Sequence, residues 1–286
     1  MTGKVGWDIR VAPKGKVTGT VNWPISMNTH ISLDDAEFAV NTPDNLRCCP
    51  YFLTLANGAR LTGKTIRPGH HKTDFTYLST GDLTKTNVIN QNVCIMNGQT
   101  SVVTFHVVAD ADFRFAGGLS RGTDLAGKMT DVVKEGDRAL ILDKGSTSID
   151  DKVTFVPKAG AFHLNGSFFS ASKAPKLRMD GGALTAAPNT TTYFTEASLA
   201  AGGTIDVAAG TTFNLGVLGT GWDAGDTQLL VKYADKDTSS VVMPQLTAAQ
   251  RARVKIQIAD GKVRNVMQDE NGRLIPVPQG LMLIFR

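Results

Sequence analysis

A six-residue phrase recurs along this chain: apolar, any, apolar, any, any, Gly. It stands as Leu53-Thr54-Leu55-Ala56-Asn57-Gly58, Val93-Cys94-Ile95-Met96-Asn97-Gly98, Phe113-Arg114-Phe115-Ala116-Gly117-Gly118 and Leu140-Ile141-Leu142-Asp143-Lys144-Gly145. Two more copies are Leu177-Arg178-Met179-Asp180-Gly181-Gly182 and Ile205-Asp206-Val207-Ala208-Ala209-Gly210. Alternation puts the apolar pair on one face of a short strand, and the closing glycine can turn the chain through positive φ. Ile31-Ser32-Leu33-Asp34-Asp35-Ala36 is a degenerate copy with Ala in the Gly place. The starts at 53, 93, 113, 140, 177 and 205 leave room for one or two turns of a coil of about 20–25 residues.

This pattern predicts an all-β chain: a right-handed parallel β-solenoid from about residue 15 to 218, with a β-rich C-terminal capping and assembly module over 219–286. Gly58, Gly98, Gly118, Gly145, Gly182 and Gly210 are the expected turn glycines. Short strands with Gly turns also build two antiparallel β-sandwich or jelly-roll domains, here divided near 120–138, and that is the competing architecture.

Spacing details refine the expectation. Val102–Val108 is the strongest strand, a β-branched and aromatic run. Residues 64–92 are polar and turn-rich and read as a loop excursion from the coil, while 119–138 read as a loop or a short helix around Asp131–Glu135. The best helix is Thr247–Arg253, with Thr247 as N-cap. Strands at Val254–Ala259, Val263–Met267 and Leu281–Phe285 complete the cap, which hides the apolar cross-section of the last rung.

Lys176–Leu218 resembles the distal passenger repeats of autotransporter-like surface adhesins, in which aliphatic strands alternate with Gly-rich turns. Gly221-Trp222-Asp223-Ala224-Gly225-Asp226-Thr227-Gln228-Leu229-Leu230-Val231-Lys232-Tyr233 is similar to their closing segment, as is the tail containing Asp260-Gly261-Lys262-Val263. The resemblance covers about residues 176–286 and implies passenger-like architecture at a cell surface. The sequence departs from that family in having no secretory signal at Met1–Trp7 and no membrane barrel after the tail.

A net charge of +4, from 30 basic and 26 acidic residues, gives no basic patch for nucleic acid, and no apolar run is long enough to span a membrane as a helix. No P-loop, dinucleotide fingerprint or nucleophile elbow is present, and no cofactor or metal site is expected. The weak catalytic candidates are Asp110 and Asp112, two residues apart after the strong strand. Paired carboxylates of this kind could serve general acid–base cleavage of a glycan, and a solvated strand end is the simpler account. His106 precedes them. His70-His71, Asp34-Asp35 and Asp150-Asp151 lack metal-ligand spacing. Trp7, Trp23 and Trp222 are dispersed and read as packing residues. Asn165-Gly166-Ser167 and Asn189-Thr190-Thr191 fit a glycosylation sequon.

At most one of Cys48 and Cys49 can meet Cys94, because vicinal strand residues point to opposite faces. A Cys49–Cys94 disulfide suits an extracellular chain, and three plainly buried thiols are the alternative. The functional expectation is a non-enzymatic structural or adhesive protein, extracellular or at a cell surface, that self-associates and takes a surface glycan or host-cell ligand. A virion spike, fibre or capsid component is the alternative, and a polysaccharide-cleaving enzyme the third reading.

Overall fold

The structure is a computed structural model that describes residues 8–20, 29–41, 50, 52–66, 74–95, 102–121, 129–144, 149–166, 169–223 and 225–278. It is an all-β chain wound into a parallel β-solenoid of about nine turns, with almost no helix. The early turns are β1 (Asp8–Val11) with β2 (Lys16–Thr20), β3 (His30–Asp34) with β4 (Glu37–Asn41), and β5 (Phe52–Ala56) with β6 (Arg60–Gly63). The middle turns carry a third short side. They are β7 (Asp74–Thr80), β8 (Asn87–Ile89) and β9 (Val93–Ile95), then β10 (Val102–Ala109), β11 (Phe113–Phe115) and β12 (Leu119–Arg121). After these come β13 (Met129–Glu135) with β14 (Ala139–Leu142), and β15 (Val153–Pro157) with β16 (Ala161–Leu164).

The later turns fuse their sides into long bent strands. These are β17 (Lys176–Ala186) and β18 (Thr191–Val207), followed by β19 (Thr212–Leu218), β20 (Leu229–Tyr233), β21 (Ser240–Val242) and β22 (Val254–Gln257). Every pairing up to β22 is parallel, so the antiparallel sandwich is excluded. The coil also runs on beyond Leu218, the expected boundary, because β20 pairs in parallel with both β18 and β22.

Register explains how the core forms. Ile31, Leu53, Tyr77 and Val107 stack as direct neighbours on successive strands, all fully buried. Two residues earlier along the same side, Phe75, Phe105, Val132 and Phe155 do the same. Aromatic rings fill the middle: Phe75 stacks on Phe105 at 4.7 Å, Tyr77 meets Phe105 edge-on at 5.0 Å, and Phe113 meets Phe115 edge-on at 4.9 Å. Each such ring contributes about 1.5–3 kcal/mol by leaving water.

Two segments depart from the sequence reading. Within 64–92 lie β7 and β8, which are ordinary rung strands rather than an excursion. Asp131–Glu135 is neither loop nor helix but part of β13, paired on both sides by β10 and β15. Tertiary pairing overrides the weak local preference of this charged stretch.

Among the expected turn glycines, Gly58, Gly118 and Gly210 have φ of +86°, +85° and +71°. At Gly118 an added Cβ would also come 2.7 Å from the Lys144 carbonyl oxygen of the next turn. Gly182 differs from its assigned role: positive φ falls on Gly181, at +103°. Both lie inside β17, where register against β18 shifts between Asp180 and Ala183, so the chain bends through a bulge rather than a turn. Gly182 is small because a Cβ there would lie 2.8 Å from the Pro157 carbonyl carbon. Gly98 and Gly145 lie outside the described residues.

The C-terminal end is closed by an antiparallel meander. The helix α1 (Ala248–Ala252) begins at Thr247, whose hydroxyl and the Gln250 side chain form a reciprocal capping box. After β22 the chain reverses into β23 (Val263–Gln268) and β24 (Leu274–Pro276), antiparallel to their neighbours. Tyr233 pins this cap. Its buried hydroxyl donates to the Leu274 carbonyl at 3.0 Å and accepts from the Val241 amide at 3.0 Å. Tyr233→Phe leaves both partners unsatisfied and is expected to cost about 1–3 kcal/mol, read as faster hydrogen exchange in β24 than in β5. Leu281–Phe285 lies outside the described residues.

Candidate functional site

The densest group of titratable side chains lies at one corner of the coil, where β10 passes into β11, β13 into β14 and β15 into β16. Alternation along β13 turns Val132 and Lys134 to the same inner face, and Lys134 sits directly beside Val107 in the buried ladder. The side chain is fully buried. Its Nζ donates to the carbonyl oxygens of Glu135 at 2.7 Å, Gly136 at 2.7 Å and Ala159 at 3.0 Å. An ammonium has three N–H donors, and all three are used.

Burial pulls the Lys134 pKa down to about 8, against the opposing pull of the Asp110, Asp137, Asp112 and Glu135 carboxylates. Glycine is needed at position 160 beside the amine, since a Cβ there would come 2.4 Å from the Arg138 carbonyl oxygen and 2.6 Å from that of Gly136. The lysine therefore ties the end of β13 to the turn of the next winding.

The weak catalytic pair sits at the same corner. The chain bends at Asp110 and Ala111, with Asp110 exposed, Ala111 fully buried and Asp112 half-buried. Asp112 Oδ1 accepts the Ala139 amide at 3.2 Å and lies 3.3 Å from Arg138 Nε, so it fixes the start of β14. The two carboxylates differ in environment, and one of them already carries a structural load. His106 Nδ1 lies 3.2 Å from Glu135 Oε2, and Lys158 Nζ lies 3.2 Å from Glu135 Oε1. Burial raises the Glu135 carboxyl, but the hydrogen bonds from Lys158 and His106 outweigh it and hold the group below its ordinary value.

The other sequence candidates are placed apart from this corner. Cys94 is a buried free thiol on β9. Cys48, Cys49, His70, His71, Trp7 and Trp23 lie outside the described residues. Trp222 is buried, with its indole N–H donated to the Ala197 carbonyl at 2.7 Å. Asp34 accepts from the Asn57 amide, and Asp150 pairs with Arg121. Among the described residues no group of three or more His, Cys, Asp or Glu could hold a metal ion. Among them, too, no helix is long and apolar enough to cross a membrane.

Lys134 was missed in the sequence because its segment reads as charged and non-strand. The signal was present as Thr130, Val132 and Lys134 at period two, inward positions once β13 is recognised as a strand.

No protein-family model matches this chain. No curated protein and no solved structure is significantly similar to it.

Proposed function

We propose that this chain is a non-enzymatic structural or adhesive protein of a cell surface or extracellular assembly, associating with further copies of itself. The observation that supports this reading is how the outer charges are used. Lys16–Glu37, Arg114–Asp143, Arg178–Asp131, Lys176–Glu196 and Lys232–Asp206 each join one turn of the coil to another. Each such half-exposed pair contributes at most about 1 kcal/mol, yet along a coil they repeat and fix the stacking of the turns. Acids and bases paired in this way tie neighbouring turns together along a shaft.

The C-terminal end is covered by the antiparallel meander, while among the described residues β1 pairs only with β3 and β2 only with β4.

Light scattering and negative-stain electron microscopy of the purified chain test the reading. Elongated assemblies that grow with protein concentration are expected. A monodisperse monomer at the highest soluble concentration would sink self-association. Cleavage of a glycan that disappears in an Asp110→Asn, Asp112→Asn double variant would sink the non-enzymatic reading.

A further inference from the structure

The C-terminal meander borders a half-open cavity of about 550 Å³ between the loop after β20 and the strands β23 and β24. Its wall combines three cations, Lys236, Arg264 and Arg273, and one acid, Asp237, with the apolar side chains of Ile258, Ile275 and Val277. The volume falls within the range of small-molecule sites, and a mostly apolar wall with a few convergent polar groups is their usual composition.

The cations are not equally neutralised. Lys236 pairs with Asp237 at 2.7 Å, and Arg264 pairs with Asp260 through Nη2. Among the described residues Arg273 has no carboxylate partner. Its Nη2 donates to the carbonyl oxygens of Lys236, Asp237 and Ser239 at 2.9, 3.3 and 3.1 Å. These bonds hold each guanidinium by one end and leave donors over. The Nε atoms of Arg264 and Arg273 are both buried and make no hydrogen bond. Having almost no accessible surface, these two N–H groups cannot reach a ligand in the pocket, so the Nη1 groups, which have no partner among the described residues, are the donors on offer.

We propose that this cavity binds an organic monocarboxylate with a short unbranched apolar body. One negative charge matches the single guanidinium left without an acid, and a planar carboxylate suits the N–H donors of arginine. The apolar body covers Ile258, Ile275 and Val277. A phosphate or sulfate would leave that wall bare and bring more charge than the site balances. This site lies on the cap and goes beyond the shaft reading, which does not depend on it.

Isothermal titration of the full-length chain with octanoate, and with octanamide as the neutral isostere, tests the proposal. Saturable octanoate binding is expected with Kd on the order of 1 mM, with octanamide at least about tenfold weaker. Arg273→Gln should weaken octanoate by about tenfold. Because Arg273 also holds three carbonyls, Val277→Trp supplies a second variant that fills the cavity and keeps every cation. It should abolish binding while melting within a few degrees of the parent. No saturable binding of octanoate, equal binding of octanamide, or parent-like binding by Val277→Trp would each overturn the proposal. None of these outcomes bears on whether the chain forms filaments.

Discussion

Phe105→Ala is expected to loosen the middle of the coil by about 3–5 kcal/mol while leaving its distal turns folded. Phe105 is fully buried and contacts Phe75 at 4.7 Å, Tyr77 at 5.0 Å and Phe115 at 6.3 Å, so four rings from two successive windings meet there. Truncation removes the ring and leaves a cavity that stacked strands cannot close, because their spacing is set by backbone hydrogen bonds. In a solenoid each turn contacts its neighbours, so the loss is local. Hydrogen exchange should therefore accelerate in β7, β10 and β13, with β18, β20 and β22 close to the parent protein. Uniform acceleration across all turns would instead mean that the coil unfolds as one cooperative block. A change under 1 kcal/mol would mean that the rings do not pack as described.

The same locality explains how much of the fold the sequence disclosed. Leu53 and Leu55, or Phe113 and Phe115, announce a strand with one buried face, and each pair is indeed buried. The phrase alone does not say which side of the coil it occupies. The copy at Leu53 lies on the first long side, that at Phe113 on the second and that at Val93 on the short third side. This is why the intervals between copies do not repeat, although the strands themselves stack in register. Alternation is a property of one strand, whereas the winding is set by pairings between residues some two dozen positions apart.

Charged rungs were the least legible. Glu135 meets His106 across the outer faces of two adjacent strands, yet its charged segment does not read as a strand, unlike the run that carries His106. Lys134 is hidden for the same reason, since a lysine on an inward position contradicts the apolar pattern that identifies the core. Asp112 was visible as a carboxylate but not as the acceptor for the Ala139 amide, because that partner lies on the following turn. The cap cavity could not be read at all. Arg264 and Arg273 are brought together by the reversal from parallel to antiparallel pairing after β22.

Replacing the buried amine gives the second large effect. Lys134→Met keeps a similar volume and removes the cost of burying a charge, but it leaves the carbonyls of Glu135, Gly136 and Ala159 without their donor. It also removes the cation that faces Asp110, Asp112, Asp137 and Glu135. Breaking one side of a buried polar arrangement costs more than never having made it, so a net loss of about 2–4 kcal/mol is expected at pH 7.

The pH dependence carries a separate signature. Lys134 has an ordinary value of 10.5 and a folded value of about 8, so between these values the unfolded chain binds more protons than the folded one. Its contribution to stability therefore rises as pH climbs from about 8 towards 10.5 and is lost as pH falls through about 8. Tyr233 acts in the opposite sense higher up, because burial raises its hydroxyl from 10.0 to about 12 and the unfolded chain ionises first. Urea denaturation of the parent should thus show stability increasing from pH 8 to about 10 and turning down beyond it. In Lys134→Met the rise should vanish and the downturn should remain. A variant that keeps the rise would place its origin in another group, and a variant more stable than the parent at pH 7 would mean that burying the charge outweighs the three carbonyl bonds.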